Sequence, residues 1–250
     1  LVAFAVLLLC WEASGRAGLL NPLFVPSPSL VGPSGSGKSS MLRAIIGLQK
    51  PLAGIVDAGF APSEIGMLFQ DDALLPWKTA RENVALGLTF NGVGRAAALT
   101  RADSWLGRLG LSGFGERFPR HLSGGQRKRV AIAQVLAMQP KLLLMDEPFA
   151  SLDAIVRARI IQDVAALVER ERISVLLVTH DLEEAISLSN RVYLLSQGPR
   201  ACITQQYQVP IPRPRDPVSA RAHPAFGPLY QKLWNDLSKE VDFCPAQAAE

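Results

Sequence analysis

A glycine-rich segment near the start of the chain constrains its fold more than any other feature. It reads GPSGSGKS and satisfies the pattern G-x-x-x-x-G-K-S/T, between a short apolar run at 29–32 and a stretch at 39–48 with helical spacing. Glycines at these positions let backbone N–H groups turn inward around phosphate oxygens, and the following helix points its positive end at them. The segment therefore predicts a strand–loop–helix unit that binds a nucleotide. The candidate nucleotide-binding residues are Gly32, Pro33, Ser34, Gly35, Ser36, Gly37, Lys38, Ser39 and Ser40.

Strand and helix signals alternate along most of the chain. Apolar runs typical of buried strands lie at 65–69, 141–145, 174–179 and 191–196, and helical spacing lies at 152–172 and 182–188. Residues from about 78 to 139 carry almost no strand signal and contain helical patterns at 80–88, 96–109 and 126–138. Alternation of this kind predicts a mostly parallel sheet covered on both faces. We therefore expect an α/β core with an inserted helical subdomain.

The two ends of the chain differ from this core. Residues 1–11 are apolar but far shorter than the ~20 residues of a membrane-spanning helix, and they favour a buried strand, with a signal-peptide core as the alternative. Residues 209–217 contain four prolines and predict an extended connector. Apolar residues then recur at helical spacing from Phe226, which predicts a docked amphipathic helix. The expected division is an ATPase domain at 1–207 and a connector with a C-terminal helix at 208–250.

Composition excludes one class of protein and argues against another. Hydrophobic residues make up 48% and charged residues 19% of the chain, which excludes general disorder. The formal net charge of +4 is slight and dispersed, and it does not predict a surface for nucleic acid. We therefore expect no nucleic-acid partner.

Two acids follow the apolar run at 142–145. In a parallel sheet such a strand delivers its terminal carboxylates to the edge where the phosphate loop also lies. Asp146 would hold Mg²⁺ through water, together with the Ser39 hydroxyl, and Glu147 would polarise the attacking water. The Lys38 ammonium would reach the β- and γ-phosphates. These residues predict hydrolysis of a nucleoside triphosphate with Mg²⁺ as the cofactor.

A five-residue string, LSGGQ, opens the predicted helix at 127–138. Its residues are Leu122, Ser123, Gly124, Gly125 and Gln126. From about residue 31 to 209, the chain resembles the ATP-binding-cassette ATPases. The resemblance lies in the order of its motifs, which are the phosphate loop, Gln70, LSGGQ, LLLMDEP at 142–148, SLD at 151–153 and His180. The resemblance implies a P-loop NTPase core of the RecA-like type that binds ATP.

The resemblance also implies roles for individual residues. Gln70 matches the glutamine that senses Mg²⁺ and contacts the transport partner, and His180 matches the histidine that contacts the γ-phosphate. Asp153 matches the acid that signals between two protomers. In this family the LSGGQ string of one protomer closes over the nucleotide held by the other, so a homodimer or heterodimer is expected. An aromatic residue usually stacks on adenine in these ATPases, and Trp11 is the best-spaced candidate, although a place in the core explains Trp11 equally well.

A finer resemblance is to importer ATPase subunits for nitrate, sulfonates such as taurine, and thiamine-pyrimidine precursors. It rests on the segments 68–88 and 212–217 and on the terminal helix. It implies an integral-membrane permease and, indirectly, a substrate-binding protein as partners, with the chain at the cytoplasmic face of the inner membrane. Residues 71–90 would receive the permease, with Leu74, Leu75 and Trp77 as the apolar contacts, although burial in the helical subdomain explains these residues equally well.

Two other functions remain open. A soluble cassette ATPase of DNA repair or translation is one, but such proteins usually carry long coiled-coil insertions or two cassettes. Here Lys38 and Ser123 are too close in sequence for a coiled coil. The other is a nucleotide sensor that does not hydrolyse ATP. The presence of Glu147 and His180 argues against it.

Overall fold

The computed structural model describes residues 27–198, 201–213, 215 and 217–242. Its strands are β1 (Pro28–Val31), β2 (Ile65–Leu68), β3 (Leu142–Asp146), β4 (Ser174–Thr179), β5 (Arg191–Leu195) and β6 (Ile203–Gln208). They form one sheet in the order β2-β3-β4-β1-β5-β6, in which β1 to β5 are parallel and β6 is antiparallel to β5. The predicted α/β class with a mostly parallel sheet is confirmed.

Eight helices and two short 3₁₀ turns accompany these strands in the described residues. The helices are α1 (Lys38–Ile45), α2 (Ala80–Phe90), α3 (Arg95–Arg108), α4 (Gly124–Leu136), α5 (Ala154–Glu171), α6 (Leu182–Leu188), α7 (Pro217–Ala222) and α8 (Phe226–Asp242), and the turns are Pro62–Glu64 and Pro119–His121. None of these helices has the length and hydropathy of a membrane span.

Alternate residues of the central strands face opposite layers of helices. In β3, Leu142 and Leu144 pack with α1, whereas Leu143 and Met145 pack with the helices of the other face, α2 to α5. All five residues of β3 are buried, as expected for a parallel strand covered on both sides. The prediction that helices cover both faces of the sheet is confirmed.

Side-chain caps determine where several helices begin. Thr79 and Ser123 each form a reciprocal capping box with the residue three positions on, at the starts of α2 and α4. Asp153 and Asp181 accept backbone N–H groups at the starts of α5 and α6. Each of these four caps fixes the residue at which its helix begins.

The proline-rich connector packs against α6. Arg215 is buried, and its guanidinium donates to the carbonyls of Ile211 (2.7 Å), Ile186 (3.0 Å), Ser189 and Val209. Burial lowers the pKa of Arg215 to about 10. The guanidinium lies at the C-terminal end of α6, where the partial negative charge of the helix favours a cation. Through Arg215, the described residues of this segment are therefore docked on the core.

We expect Arg215→Ala to lower the free energy of unfolding by about 2–3 kcal/mol, because it leaves several buried carbonyls without a donor. Urea denaturation measures this change. Arg221→Ala, which removes an exposed ion pair between α7 and Glu183, is the matched control and should cost less than about 1 kcal/mol. Equal losses in the two variants would contradict the docking role of Arg215.

Candidate nucleotide site

The phosphate loop is folded around its own lysine. Gly35 and Gly37 adopt left-handed conformations (φ 82° and 83°), which only glycine adopts without strain. The buried Lys38 Nζ donates to the carbonyls of Gly32 (2.8 Å) and Pro33 (2.8 Å). The first N–H groups of α1 have no acceptor within the helix, because a helix N-terminus leaves them free. The loop therefore gathers donors around one point, as anion binding requires.

The hydroxyl of Ser39 and the carboxylate of Asp146 meet at the end of β3. Ser39 Oγ donates to Asp146 Oδ1 over 2.9 Å, and Asp146 is buried. Burial lowers the pKa of Lys38, and the negative charges of Glu147 and Asp146 oppose that effect. A hydroxyl and a carboxylate are the hard oxygen ligands that fit Mg²⁺, which takes only one or two protein carboxylates when phosphates complete its shell.

Glu147 and His180 also meet at this edge. His180 Nδ1 lies 3.1 Å from Glu147 Oε2, which is within hydrogen-bond distance. Glu147 has φ 43° although it is not glycine and precedes Pro148, and its N–H donates to Val178 O over 2.8 Å. Such strained backbone persists only where surrounding contacts hold it, and it gathers at functional sites.

A partly buried hydrogen-bond network connects the residues on either side of His180, and no motif in the sequence predicts it. Thr179 Oγ1 donates to Glu184 Oε2 (2.7 Å) and accepts the N–H of Asp181 (3.0 Å). Arg157 of α5 donates to Asp181 Oδ2 (3.2 Å) and lies 3.9 Å from Glu184. The residues on both sides of His180 are thus fixed to each other and to α5.

Glu184 gives this network a pH dependence. Burial raises the pKa of Glu184 to about 7, reinforced by the charges of Asp181 and Glu147 and opposed by Thr179 and Arg157. Between the ordinary pKa of 4.5 and about 7, the unfolded chain has lost a proton that the native chain keeps. Stability from this group therefore falls as pH rises through that window.

Glu184→Gln removes the titration and keeps an acceptor for Thr179. We expect its free energy of unfolding, relative to the parent chain, to increase by up to about 3 kcal/mol between pH 4.5 and 7.5. Denaturant titrations across that range measure the difference. The exposed neighbour variant Glu183→Gln should show no such trend, and parallel pH curves for Glu184→Gln and the parent would contradict the assignment.

The LSGGQ string forms the turn into α4. Ser123 Oγ accepts the N–H of Gln126 (3.3 Å), and Gln126 Oε1 accepts the N–H of Ser123 (2.9 Å). Ser123 and Gly124 are exposed, and a Cβ on Gly125 would lie 2.5 Å from Val156 Cγ1, so α4 and α5 approach closely there. The turn thus presents exposed donors at a helix N-terminus.

The LSGGQ turn opens α4, which packs on a strand that is not adjacent to the phosphate loop. Helix α4 packs on β2, whereas the phosphate loop follows β1, three strand positions away. Three strand spacings are roughly 14 Å. The strand on which the LSGGQ helix packs and the strand that leads into the phosphate loop are therefore not neighbours in the sheet.

The remaining predicted residues lie in different parts of the chain. Gln70 follows β2 and is exposed, and Asp153 caps α5 by accepting the N–H of Val156 (3.0 Å). Trp11 lies outside the described residues, as does the predicted strand at 1–11. Leu74 packs on the helical core, whereas Trp77 is 70% exposed. Gln70, Glu147, His180 and the phosphate loop therefore follow four adjacent parallel strands, β2, β3, β4 and β1.

Comparison with known proteins decides the family. The model of the ABC transporter family matches residues 28–150. The taurine import ATP-binding protein TauB of Pseudomonas savastanoi is 45% identical over 174 residues, which cover 68% of this chain and 67% of TauB. This chain belongs to the ABC transporter family. The resemblance to the ATP-binding-cassette ATPases is thereby confirmed.

Two further relatives agree with this assignment. The nitrate import ATP-binding protein NrtC of Synechococcus elongatus is 38% identical over 219 residues, 85% of this chain, and the cassette spans only a third (33%) of NrtC. A solved dimeric post-hydrolysis structure of the ATP-binding cassette MJ0796, bound to ADP and Pi, is 33% identical with a TM-score of 0.63, and the match covers 74% of this chain and 85% of MJ0796.

Proposed function

We propose that this cassette is the ATP-binding and ATP-hydrolysing subunit of a bacterial-type importer. One observation carries the proposal. Ser39 contacts Asp146 and Glu147 contacts His180 at one edge of the sheet, beside the phosphate loop that folds around Lys38. These are the parts that hydrolysis of a nucleoside triphosphate requires: an anion cradle, hard oxygen ligands and a base beside a second polar group.

Each part of the site has a distinct task in this proposal. The loop at 32–40 binds the phosphates, and Lys38 leaves its loop carbonyls for the β- and γ-phosphate oxygens. Ser39, Asp146 and Gln70 would hold Mg²⁺, which neutralises phosphate charge when it is bound. Glu147 orients and deprotonates the attacking water, and His180 holds the Glu147 carboxylate and contacts the γ-phosphate.

A second copy would complete the site. The exposed LSGGQ turn opens a helix that packs on β2, which is not adjacent to the strand before the phosphate loop. Its N-terminal donors suit the γ-phosphate of a nucleotide held by another copy. The dimeric structure of the MJ0796 cassette supports this arrangement. ATP would join two chains, hydrolysis would separate them, and Asp153 would signal between them.

Transport would require partners in the membrane. We infer that the cassette docks on an integral-membrane permease at the cytoplasmic face, with the segment 71–90 and the exposed Trp77 in the contact. A substrate-binding protein would act indirectly through that permease. The cassette would span 1–207, with a helical subdomain at about 78–139, and the segment 208–250 would form its C-terminal part.

The relatives favour a small anion or organic solute as cargo. Their names state import of nitrate and of taurine, and a thiamine-pyrimidine precursor is the third candidate from the sequence. No observation on this chain favours a role in DNA repair or translation.

Solute uptake by the source organism tests the proposal. Deleting the gene should abolish uptake of one of these solutes, and the parent sequence should restore uptake whereas Glu147→Gln should not. Purified parent protein should hydrolyse ATP in the presence of Mg²⁺. Unchanged uptake of all three solutes in the deletion strain would contradict the importer function, and absence of hydrolysis would contradict the enzymatic one.

A further inference from the structure

A fully buried lysine joins the LSGGQ helix to the loop that carries Gln70. The Lys128 side chain is 1% exposed, and its Nζ lies 2.8 Å from Asp72 Oδ1 and donates to Gln70 O over 3.0 Å. A buried ammonium is tolerated only when its charge and its hydrogens are matched. Here one carboxylate and one carbonyl of the same short loop supply that match.

A second basic residue of α4 reinforces the contact. Arg127 Nε lies 3.4 Å from Asp72 Oδ2, and its guanidinium also donates to Leu122 O over 2.8 Å. Both carboxylate oxygens of Asp72 are therefore held by consecutive residues of α4. The adjacent Ala73 has φ 51°, so the loop makes a sharp turn at the point where it is held.

The two ends of this link belong to different nucleotide sites in the proposed dimer. Gln70 would face the nucleotide and Mg²⁺ of its own chain. Lys128 lies one turn beyond Ser123 and Gly124, and this turn would close over the nucleotide of the second copy. The capping box joins the LSGGQ turn to the helix that carries Lys128, so this helix links the turn to the 70–72 loop.

We propose that Lys128 and Asp72 are positioning residues that couple the two nucleotide sites of the dimer. Through them, the placement of Gln70 at one site fixes the placement of the LSGGQ turn at the other. This inference rests on the proposed function. The inference goes beyond that function because it assigns the coupling to one buried ion pair, Lys128 with Asp72, that touches neither nucleotide.

The neighbouring residue Arg129 supplies a matched control. Arg129 lies on the same helix and makes the same kinds of contact, an ion pair with Asp163 (2.7 Å) and a bond to Leu109 O (2.7 Å). Those partners lie on α5 and after α3, away from the 70–72 loop. Arg129→Met therefore removes a comparable interaction without touching the proposed link.

The experiment compares Lys128→Met and Arg129→Met in the hydrolysis-deficient Glu147→Gln chain. Two quantities are measured: the Mg-ATP dissociation constant of the dilute monomer, and the ATP-dependent dimerisation constant by sedimentation. We expect Lys128→Met to leave monomer binding nearly unchanged and to weaken dimerisation by about tenfold or more. Arg129→Met should leave both constants nearly unchanged even where it lowers the melting temperature.

Asp72→Asn is the second variant, for the case in which Lys128→Met does not fold. It should weaken dimerisation in the same direction, and Lys128→Arg, which keeps charge and donors, should restore part of it. Normal dimerisation in folded Lys128→Met, or equal weakening by Arg129→Met, overturns the coupling while leaving the proposed function intact. Failure of the Glu147→Gln chain itself to bind ATP overturns both.

Discussion

Glu147→Gln is expected to lower kcat for ATP hydrolysis by about 10²–10⁴-fold, the usual contribution of a general base. Glutamine retains the size of the side chain and an oxygen within hydrogen-bond distance of His180 Nδ1, but it no longer takes a proton from water. The ATP dissociation constant should stay within about threefold of the parent value, because the phosphate loop is unaltered. A coupled phosphate-release assay and equilibrium nucleotide binding measure the two quantities.

Glu183→Gln is the matched control for this change. It makes the same substitution four residues beyond Thr179, on an exposed carboxylate paired with Arg221. Its kcat should equal that of the parent. A Glu147→Gln enzyme that retains more than about a tenth of the parent kcat would show that the base is another group.

Lys38→Met is expected to weaken ATP binding by about 100-fold. The ammonium makes charge-assisted bonds to phosphate, each worth about 1.5–3 kcal/mol, and methionine makes none. The folded chain should be destabilised only modestly, because methionine leaves the Gly32 and Pro33 carbonyls without this donor but also removes a buried charge. Fluorescent-nucleotide titration and thermal unfolding separate the two effects.

The exposed Lys141 provides the comparison. Lys141→Met removes an ion pair with Glu64 and should leave ATP affinity at the parent value. Retention of parent affinity by Lys38→Met would place the phosphates away from the loop at 32–39. A large fall in melting temperature would instead assign Lys38 a structural role.

Uninterrupted apolar runs and helical spacing made the elements of the core predictable from the sequence. The run SVLLVT predicts β4 with its observed ends, Ser174–Thr179, because a parallel strand buried on both faces needs apolar residues on both sides. The helix Leu182–Leu188 was also predicted with its observed ends, since Asp181 caps it. The residues gathered at the sheet edge follow from the same rule, as each comes directly after a strand.

Interactions that join distant segments were not predictable. Strand β6, ITQQYQ, is largely polar because it lies at the edge of the sheet, and its pattern gave no strand signal. Glu184 reads as a solvated acid in the string LEEA, yet it is buried against Thr179. The pairing of Lys128 with Asp72 depends on the packing of α4 against the loop after β2, and neither residue belongs to a motif that marks it.

Sedimentation velocity of the Glu147→Gln chain tests the central claim most directly, namely that ATP held by the loop at 32–39 is enclosed by the LSGGQ turn of a second copy. With Mg-ATP we expect a species of about twice 27.0 kDa, and without nucleotide we expect a monomer. Ser123→Arg in the same background should bind ATP and remain monomeric. A monomer at saturating ATP, or an unimpaired dimer with Ser123→Arg, would contradict the account.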